Sequence, residues 1–392
     1  MKQTNRWLVV LGAVLIQICL GAVYAWSLFN KPLSDKFGWE TSQVVLTFSI
    51  TIAMFALATI FAGKLQDKIG PRWVATVGGI LLCTGLLLSS TADSLVELYI
   101  FYGVIGGIGV GTAYVCPLAT CVKWFPDKKG FITGIAVGAF GSGSLIFKSV
   151  ILKLIEAKGV SETFLYLGII YGVLIVLGAQ LLKAPEKTAA KAGSAKAVDF
   201  GTKEMISTVQ FYFIWIMFFF GCISGLMVIG LAKDIGTELV KLTPETAANA
   251  VAMIALFNAG GRLGWGMISD KLGRVKSFFI MYVMTAVAMI VMSTVTMNFA
   301  IFFTCIAAIA MSFGGFLAVY PSITADYYGT KNLGVNYGIV MQAYGIAAIV
   351  GPIVAASLGF KSSFLLSAVL SIVAAVMTFM VKPPVHPSLS TK

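Results

Sequence analysis

One arginine lies inside a long apolar segment of this sequence. Arg262 stands in the stretch Asn258-Ala-Gly-Gly-Arg-Leu-Gly, within apolar residues predicted to form a helix over 246–267. An arginine in hydrocarbon costs about 2.5–3.5 kcal/mol on insertion scales, so it normally faces a polar cavity and finds a partner. A carboxylate fits the guanidinium with two hydrogen bonds, and at ~4 Å and an effective dielectric of ~20 their attraction is about 4 kcal/mol. Arg262 is therefore a candidate for binding a small carboxylate.

The apolar segments contain no acidic residue deep enough to pair with Arg262. Glu97, Asp234 and Asp326 stand at segment ends, and the one histidine, His386, is in the C-terminal tail. We therefore expect a substrate to supply the negative charge. The alternative is a structural arginine bonded to helix carbonyls or to a gate.

The composition excludes a soluble protein. Of 392 residues, 58% are hydrophobic and 11% charged, with a mean hydropathy of +0.93, whereas a soluble domain has about 25% charged residues. The net charge of +12 does not indicate nucleic acid, because the basic residues lie in short loops between long apolar segments. Basic residues in such loops set membrane topology and face anionic lipid headgroups.

Twelve apolar segments are long enough to cross a bilayer as helices. These predicted spans cover residues 7–29, 43–65, 73–92, 96–120, 131–153, 163–183, 209–232, 246–267, 276–297, 299–324, 335–358 and 362–381. The excess of Lys and Arg in alternate loops predicts a multi-pass protein of the cell inner membrane with both termini in the cytoplasm.

A loop sequence occurs twice. The pattern G-x-x-x-D-K-x-G covers residues 63–70 and again 266–273, an offset of 203 residues, each time between the second and third span of its half. Parallel repeats of this kind build one common transporter fold. We predict an all-α membrane protein with twelve helices in two pseudo-symmetric six-helix bundles, residues 1–183 and 207–392, joined by a cytoplasmic linker at 184–206.

The duplicated loop resembles that of the major facilitator superfamily, and the resemblance covers the whole chain. The stretch G-x-G-x-G-x-x-Y at 107–114 and Asn336-Tyr337-Gly338 look like the oxalate/formate antiporter family, which includes bacterial lactate and pyruvate carriers. They are also similar to the animal monocarboxylate transporters. The resemblance implies a secondary transporter and not an enzyme.

The resemblance also implies a cytoplasmic gate. In that family the acidic loop residue pairs with helix ends and basic residues to hold the gate closed. This role falls on Asp67 and Asp270, with Arg72 and Arg274 as partners. The alternative is a tight turn with solvated charges.

Relatives carry an arginine in the eighth helix that holds the substrate carboxylate, which implies that role for Arg262. Animal monocarboxylate carriers place an aspartate four residues earlier, where this chain has Asn258. With no Lys or Arg in span 11, a monovalent anion is favoured over a dicarboxylate. Helical spacing and the resemblance add further cavity candidates, with Tyr114 favoured: Tyr24, Leu28, Tyr114, Tyr320 and Tyr344.

We expect a monomeric carrier of a small monocarboxylate such as lactate, pyruvate or formate, coupled to protons by symport. Proton uptake is expected at the substrate carboxylate near Arg262, or at Glu238 or Asp234 near the outer end of span 7. Carboxylate anion exchange, of the formate or oxalate type, is the alternative within transport. A non-transporting membrane sensor is the alternative from another class. The six cysteines lie in apolar segments without metal-ligand spacing, so we expect no metal, no cofactor and no disulfide.

Overall fold

The computed structural model of the protein describes residues 5–185 and 199–386, apart from the side chains of residues 229–234, 244–245, 247–252, 352 and 356. All regular secondary structure in the described part is helical, which confirms the predicted all-α class. The predicted linker at 184–206 lies largely outside the described residues, because these omit 186–198.

Within residues 5–185, the structure has seven helices. They are α1 (Arg6–Gly21), α2 (Ser27–Phe37), α3 (Thr41–Ile69), α4 (Pro71–Ser89), α5 (Leu95–Leu98), α6 (Gly107–Trp124) and α7 (Lys129–Leu181). A 3-10 turn at Ala22–Ala25 follows α1 and precedes α2. A π-helical segment at Tyr99–Gly106 connects α5 to α6, and a 3-10 turn at Pro126–Lys128 precedes α7.

Eight helices lie within the described residues 199–386. They are α8 (Thr202–Ile206), α9 (Val209–Asp234), α10 (Pro244–Leu272), α11 (Arg274–Thr294), α12 (Phe299–Tyr328), α13 (Leu333–Val340), α14 (Gln342–Leu358) and α15 (Phe360–Met377). A π-helical segment at Ile235–Leu239 follows α9, and a 3-10 turn at Thr378–Met380 ends α15.

Each predicted span lies largely within helical residues, although the spans at 73–92 and 276–297 each run three residues past the end of their helix. Within the described residues, ten helical stretches are long and apolar enough to cross a membrane. One of these, Pro126–Leu181, contains two predicted spans. Its helix α7 is broken at Gly159, whose φ of 80° and ψ of 169° are not helical. The span predicted at 246–267 falls within α10, which has 29 residues.

The duplicated loops have the same backbone geometry. Gly70 ends α3 with φ 94° and ψ 159°, and Gly273 ends α10 with φ 94° and ψ 150°. Each glycine N–H donates to the carbonyl four residues earlier, at 3.0 Å from Gly70 and 3.1 Å from Gly273. Because a positive φ is strained for residues with a Cβ, both copies require glycine at this point.

The chain divides into two compact units. Unit 1 contains residues 1–127, 139–199 and 329–345, and unit 2 contains residues 128–138, 200–328 and 346–392. In unit 1, α3 packs against α6 and α13, while in unit 2, α10 packs on α12 and α11 packs on α15. The predicted domain limits, which follow the sequence repeat, stay predictions.

Candidate functional site

Arg262 is held inside unit 2 by groups from two helices. Its side chain is among the largest fully buried ones, at 1% exposure. Nε donates to Oδ1 of Asn258, one turn earlier on α10, at 2.7 Å, and Nη1 donates to the carbonyl oxygen of Val137 on α7, also at 2.7 Å. These bonds fix the plane of the guanidinium between α10 and α7.

A glycine lets α7 come close to α10 at this level. A Cβ added at Gly134 would stand 2.7 Å from the carbonyl oxygen of Arg262 and 3.3 Å from Cα of Leu263. Such a contact leaves no room for a side chain, so Gly134 permits the approach that brings the carbonyl of Val137 within reach of the guanidinium.

The contacts of Arg262 are with groups of the protein itself, and the expectation that it binds a substrate carboxylate stays a prediction. The sequence led us to expect the substrate as the partner of the guanidinium, yet Asn258 and the Val137 carbonyl already bond to it, as the structural alternative required. Both groups are neutral, so they orient the guanidinium without cancelling its charge.

Three predicted tyrosines lie together in unit 1. The hydroxyls of Tyr24 and Tyr344 are 2.7 Å apart. The ring of Tyr114 meets Phe55 at 4.9 Å and Phe140 at 5.2 Å between centroids, both edge-on. We call these five residues the aromatic cluster, because Phe140 also meets Tyr24 at 5.4 Å and Phe55 meets Tyr344 at 6.2 Å. Its two phenylalanines were not predicted as site residues.

The remaining first-half candidate, Leu28, lies in α2 one turn beyond Tyr24 and is half-buried. The backbone near Tyr114 is tied to α1, since Nε2 of Gln17 donates to the Tyr114 carbonyl at 3.4 Å. Leu28 itself lies in α2, the helix that follows Tyr24 and leads away from the aromatic cluster.

Tyr320 has a different environment from the other candidate tyrosines. Its hydroxyl is 2.9 Å from that of Tyr282, which itself donates to the Met217 carbonyl at 2.6 Å. Its ring stacks on Phe218 at 4.0 Å, and the side chain is fully buried. These contacts place Tyr320 in the packing of α12 with α9 and α11.

Asp270 caps the beginning of α7 in unit 2. Its carboxylate accepts hydrogen bonds from the backbone N–H of Gly130 at 2.9 Å and of Phe131 at 2.7 Å. It also pairs with Arg274 at 2.7 Å, which is the partner expected from the sequence. A negative charge at the first turn of a helix is favourable because the unpaired N–H groups point at it.

A chain of charges continues from this cap. Nε of Arg274 is 2.9 Å from Oδ2 of Asp326, and Oδ1 of Asp326 is 2.7 Å from Nζ of Lys129. The beginnings of α7 and α11 and the ends of α10 and α12 are therefore joined within unit 2 by alternating charges.

Asp67 is paired differently in unit 1. Its Oδ1 lies 3.3 Å from Nζ of Lys123, and its Oδ2 accepts the backbone N–H of Val335 at 3.1 Å. The expected pairing of Asp67 with Arg72 is wrong, because Nε of Arg72 donates to Oε1 of Gln180 at 2.6 Å. Arg72 lies in the first turn of α4, and that helix directs it to the end of α7.

The predicted proton-coupling residues are only partly described. Glu238 is exposed in the π-helical segment Ile235–Leu239, while the side chain of Asp234 lies outside the described residues. In the part of the chain described here, no three His, Cys, Asp or Glu residues group as metal ligands. The cysteines are free thiols.

Sequence reasoning missed the residues that complete these contacts. Lys123 and Asp326 carried a signal, since Lys123 is a basic residue in the last turn of α6 and Asp326 is an acid at a span end. Val137 carried none, because it contributes a backbone carbonyl and any residue has one.

A model of the Major Facilitator Superfamily matches residues 8–232 and 211–392. The chain belongs to the Major Facilitator Superfamily. It is 39% identical over 348 residues to an uncharacterised MFS-type transporter of Escherichia coli (strain K12), YhjX, covering 88% of this chain and 87% of that protein. It is 32% identical over 385 residues to the oxalate:formate antiporter of Oxalobacter formigenes, with 96% and 92% covered.

A further relative of this superfamily member is the rat (Rattus norvegicus) monocarboxylate transporter 12, at 27% identity with 89% of this chain and 78% of that protein covered. Among solved structures, the proton:xylose symporter XylE matches with a TM-score of 0.75 and 16% identity, covering 97% of each chain. The protein is thus a transporter with the all-α major facilitator fold, and not an enzyme.

Proposed function

We propose that this transporter carries small monocarboxylates of the lactate, pyruvate or formate type by proton-coupled symport. The protein would work by alternating access, as a monomer in a cell inner membrane with both termini in the cytoplasm. The observation that supports a carboxylate substrate is Arg262, a buried guanidinium whose bonds to Asn258 and to the Val137 carbonyl go to neutral oxygens.

The chemistry of the guanidinium favours a carboxylate over a neutral solute. Arginine offers five N–H donors in a planar fork, of which the bonds to Asn258 and Val137 use Nε and Nη1. A carboxylate would bind bidentately to this fork or displace the Asn258 amide from it. Since charge-assisted bonds are about twice as strong as neutral ones, the exchange of an amide for a carboxylate is favourable.

The names of two relatives also support a carboxylate substrate. One is called an oxalate:formate antiporter and another a monocarboxylate transporter. We infer for this chain a monovalent acid, because span 11 supplies no second cation.

The test is uptake of radiolabelled L-lactate, pyruvate and formate into liposomes with an imposed pH gradient. Arg262→Gln retains a donor for Asn258 but removes the charge, so we expect the KM for the carried acid to rise about tenfold or more. Lys148→Gln is the matched control, since Lys148 is a basic residue exposed on α7. Equal KM values in both variants and the wild type would contradict the role of Arg262.

Anion exchange is the second candidate, supported by the 32% identity to an antiporter. Liposomes preloaded with formate or oxalate separate the two mechanisms. Exchange predicts uptake only with internal anion and independent of the pH gradient, whereas symport predicts uptake into empty liposomes that follows the gradient. Glu238→Gln and Asp234→Asn would then identify the proton-binding residue, as the variant whose uptake no longer follows the gradient.

A further inference from the structure

In unit 2, α7 and α10 pack closely at Gly130 and Gly134 and lie further apart at Gly138. Along α7, Gly130 packs against the Gly266 carbonyl and Gly134 against the Arg262 carbonyl. Residue numbers rise by four on α7 as they fall by four on α10, so the helices are antiparallel, and the next pair in this series is Gly138 with Asn258. Among the described residues, a Cβ added at Gly138 would have no atom of another element within 4 Å.

The place along the helices where α7 and α10 lie apart is also where the Arg262 guanidinium lies. Gly138 directly follows Val137, whose carbonyl accepts from Nη1 of Arg262, while Asn258 accepts from Nε at 2.7 Å. Residues 134 and 138 differ by one turn and so share a helix face. A gap therefore lies between α7 and α10, closed at one end by the Gly134 contact, with the guanidinium bridging its two sides.

No side chain of the described residues fills the gap beside Gly138. Gly138 is half-buried, whereas Gly134 is buried. A core glycine that permits tight packing should have close neighbours, as Gly134 does. Close packing of α7 on α10 therefore does not explain the glycine at 138.

We propose that Gly138 is a specificity-determining residue that sets the size limit for the group attached to the substrate carboxylate. The inference rests on the proposed function. A carboxylate bound at Arg262 places its neighbouring carbon within a few bond lengths of the guanidinium, and the gap over the Gly138 backbone takes the substituents of that carbon. A side chain at 138 would occupy the volume that those substituents need.

The experiment measures inhibition of pyruvate uptake in liposomes by formate, acetate, L-lactate, 2-hydroxybutyrate and 2-hydroxyisovalerate. For Gly138→Ala we expect the ratio of the inhibition constants of 2-hydroxyisovalerate and formate to rise about tenfold over the wild type, since a methyl group forced into an occupied site costs about that much. The constant for formate should change little. Alanine is also the better helix former, so α7 should be retained.

Gly260→Ala is the matched control. Gly260 is exposed on α10, and no atom of the described residues lies within 4 Å of a Cβ added there. Because it stands two residues before Arg262, it faces the opposite side of the helix. For Gly260→Ala, the ratio of the inhibition constants of 2-hydroxyisovalerate and formate should equal that of the wild type. Gly138→Ser provides a second variant if the alanine protein is unstable, and thermal shift by each acid gives a binding readout independent of uptake.

The outcomes separate the two proposals. If the wild type neither binds nor transports any of these acids, the proposed function fails and the size limit with it. If Arg262 is required but Gly138→Ala and Gly138→Ser leave the ratio unchanged, only the size limit is overturned. An equal loss for all acids would assign Gly138 to helix flexing and also overturn it.

Discussion

Arg262 and Asn258 are joined by a 2.7 Å hydrogen bond from Nε to Oδ1, across one turn of α10. The bond holds the guanidinium beside its own helix, while Nη1 reaches the carbonyl of Val137 on α7. The residue at position 258 therefore controls both the orientation of Arg262 and the charge that it faces.

Replacing Asn258 by aspartate should make transport depend more steeply on pH. The new carboxylate would compete with the substrate for the guanidinium, and its protonation would remove the competitor. We therefore expect Asn258→Asp to have a larger loss of lactate uptake at high external pH than at low external pH. Asn258→Ser, which adds no charge, should show a loss that is constant with pH. Parallel losses in the two variants would contradict the competition.

Asp67 should depend on Lys123 and not on Arg72. The Asp67 carboxylate is 8% exposed and pairs with Lys123 at 3.3 Å, whereas Arg72 bonds to Gln180. Lys123→Gln leaves a largely buried carboxylate without its cation, so it should lower the melting temperature in detergent more than Arg72→Gln. In an Asp67→Asn background the Lys123 substitution should lose most of its effect. A larger effect of Arg72→Gln would contradict the pairing.

Asp270 and Arg274 should be energetically coupled. Their side chains are 13% and 12% exposed and 2.7 Å apart, so the pair is well shielded from solvent. A double-mutant cycle with Asp270→Asn and Arg274→Gln should give a coupling free energy of about 1–3 kcal/mol, measured by chemical unfolding. Additive effects would mean that Asp270 acts only through the N–H groups of Gly130 and Phe131.

Removal of the Tyr320 hydroxyl should lower stability, whereas removal of the Tyr114 hydroxyl should raise the KM for the carried acid. The Tyr320 hydroxyl bonds to that of Tyr282 at 2.9 Å, so Tyr320→Phe should cost about 1 kcal/mol of stability and leave the KM for the carried acid unchanged. Tyr114→Phe should raise that KM if the tyrosine contacts substrate as the resemblance implies. Uptake kinetics and melting temperatures of both variants test this; a raised KM for Tyr320→Phe would contradict the packing role.

The twelve spans, the repeat and the candidate arginine could be predicted because each depends on residue type alone. A bilayer admits only long apolar helices, so hydropathy locates them in sequence. The glycines of the duplicated loop require a positive φ, and both Gly70 and Gly273 have φ 94°. Arg262 was identifiable because a guanidinium in an apolar helix is costly wherever it occurs.

What the sequence could not determine is which groups meet across large separations. Val137 is 125 residues from Arg262, and Lys123 is 56 residues from Asp67. Tyr320 looked like the other candidate tyrosines until its hydroxyl was seen to face Tyr282. Such contacts depend on how helices cross and on where a glycine lets them approach, as Gly134 does. The amino-acid types determined which chemistry was available, and the tertiary structure alone decided its partners, because close packing fixes distances that no local pattern encodes.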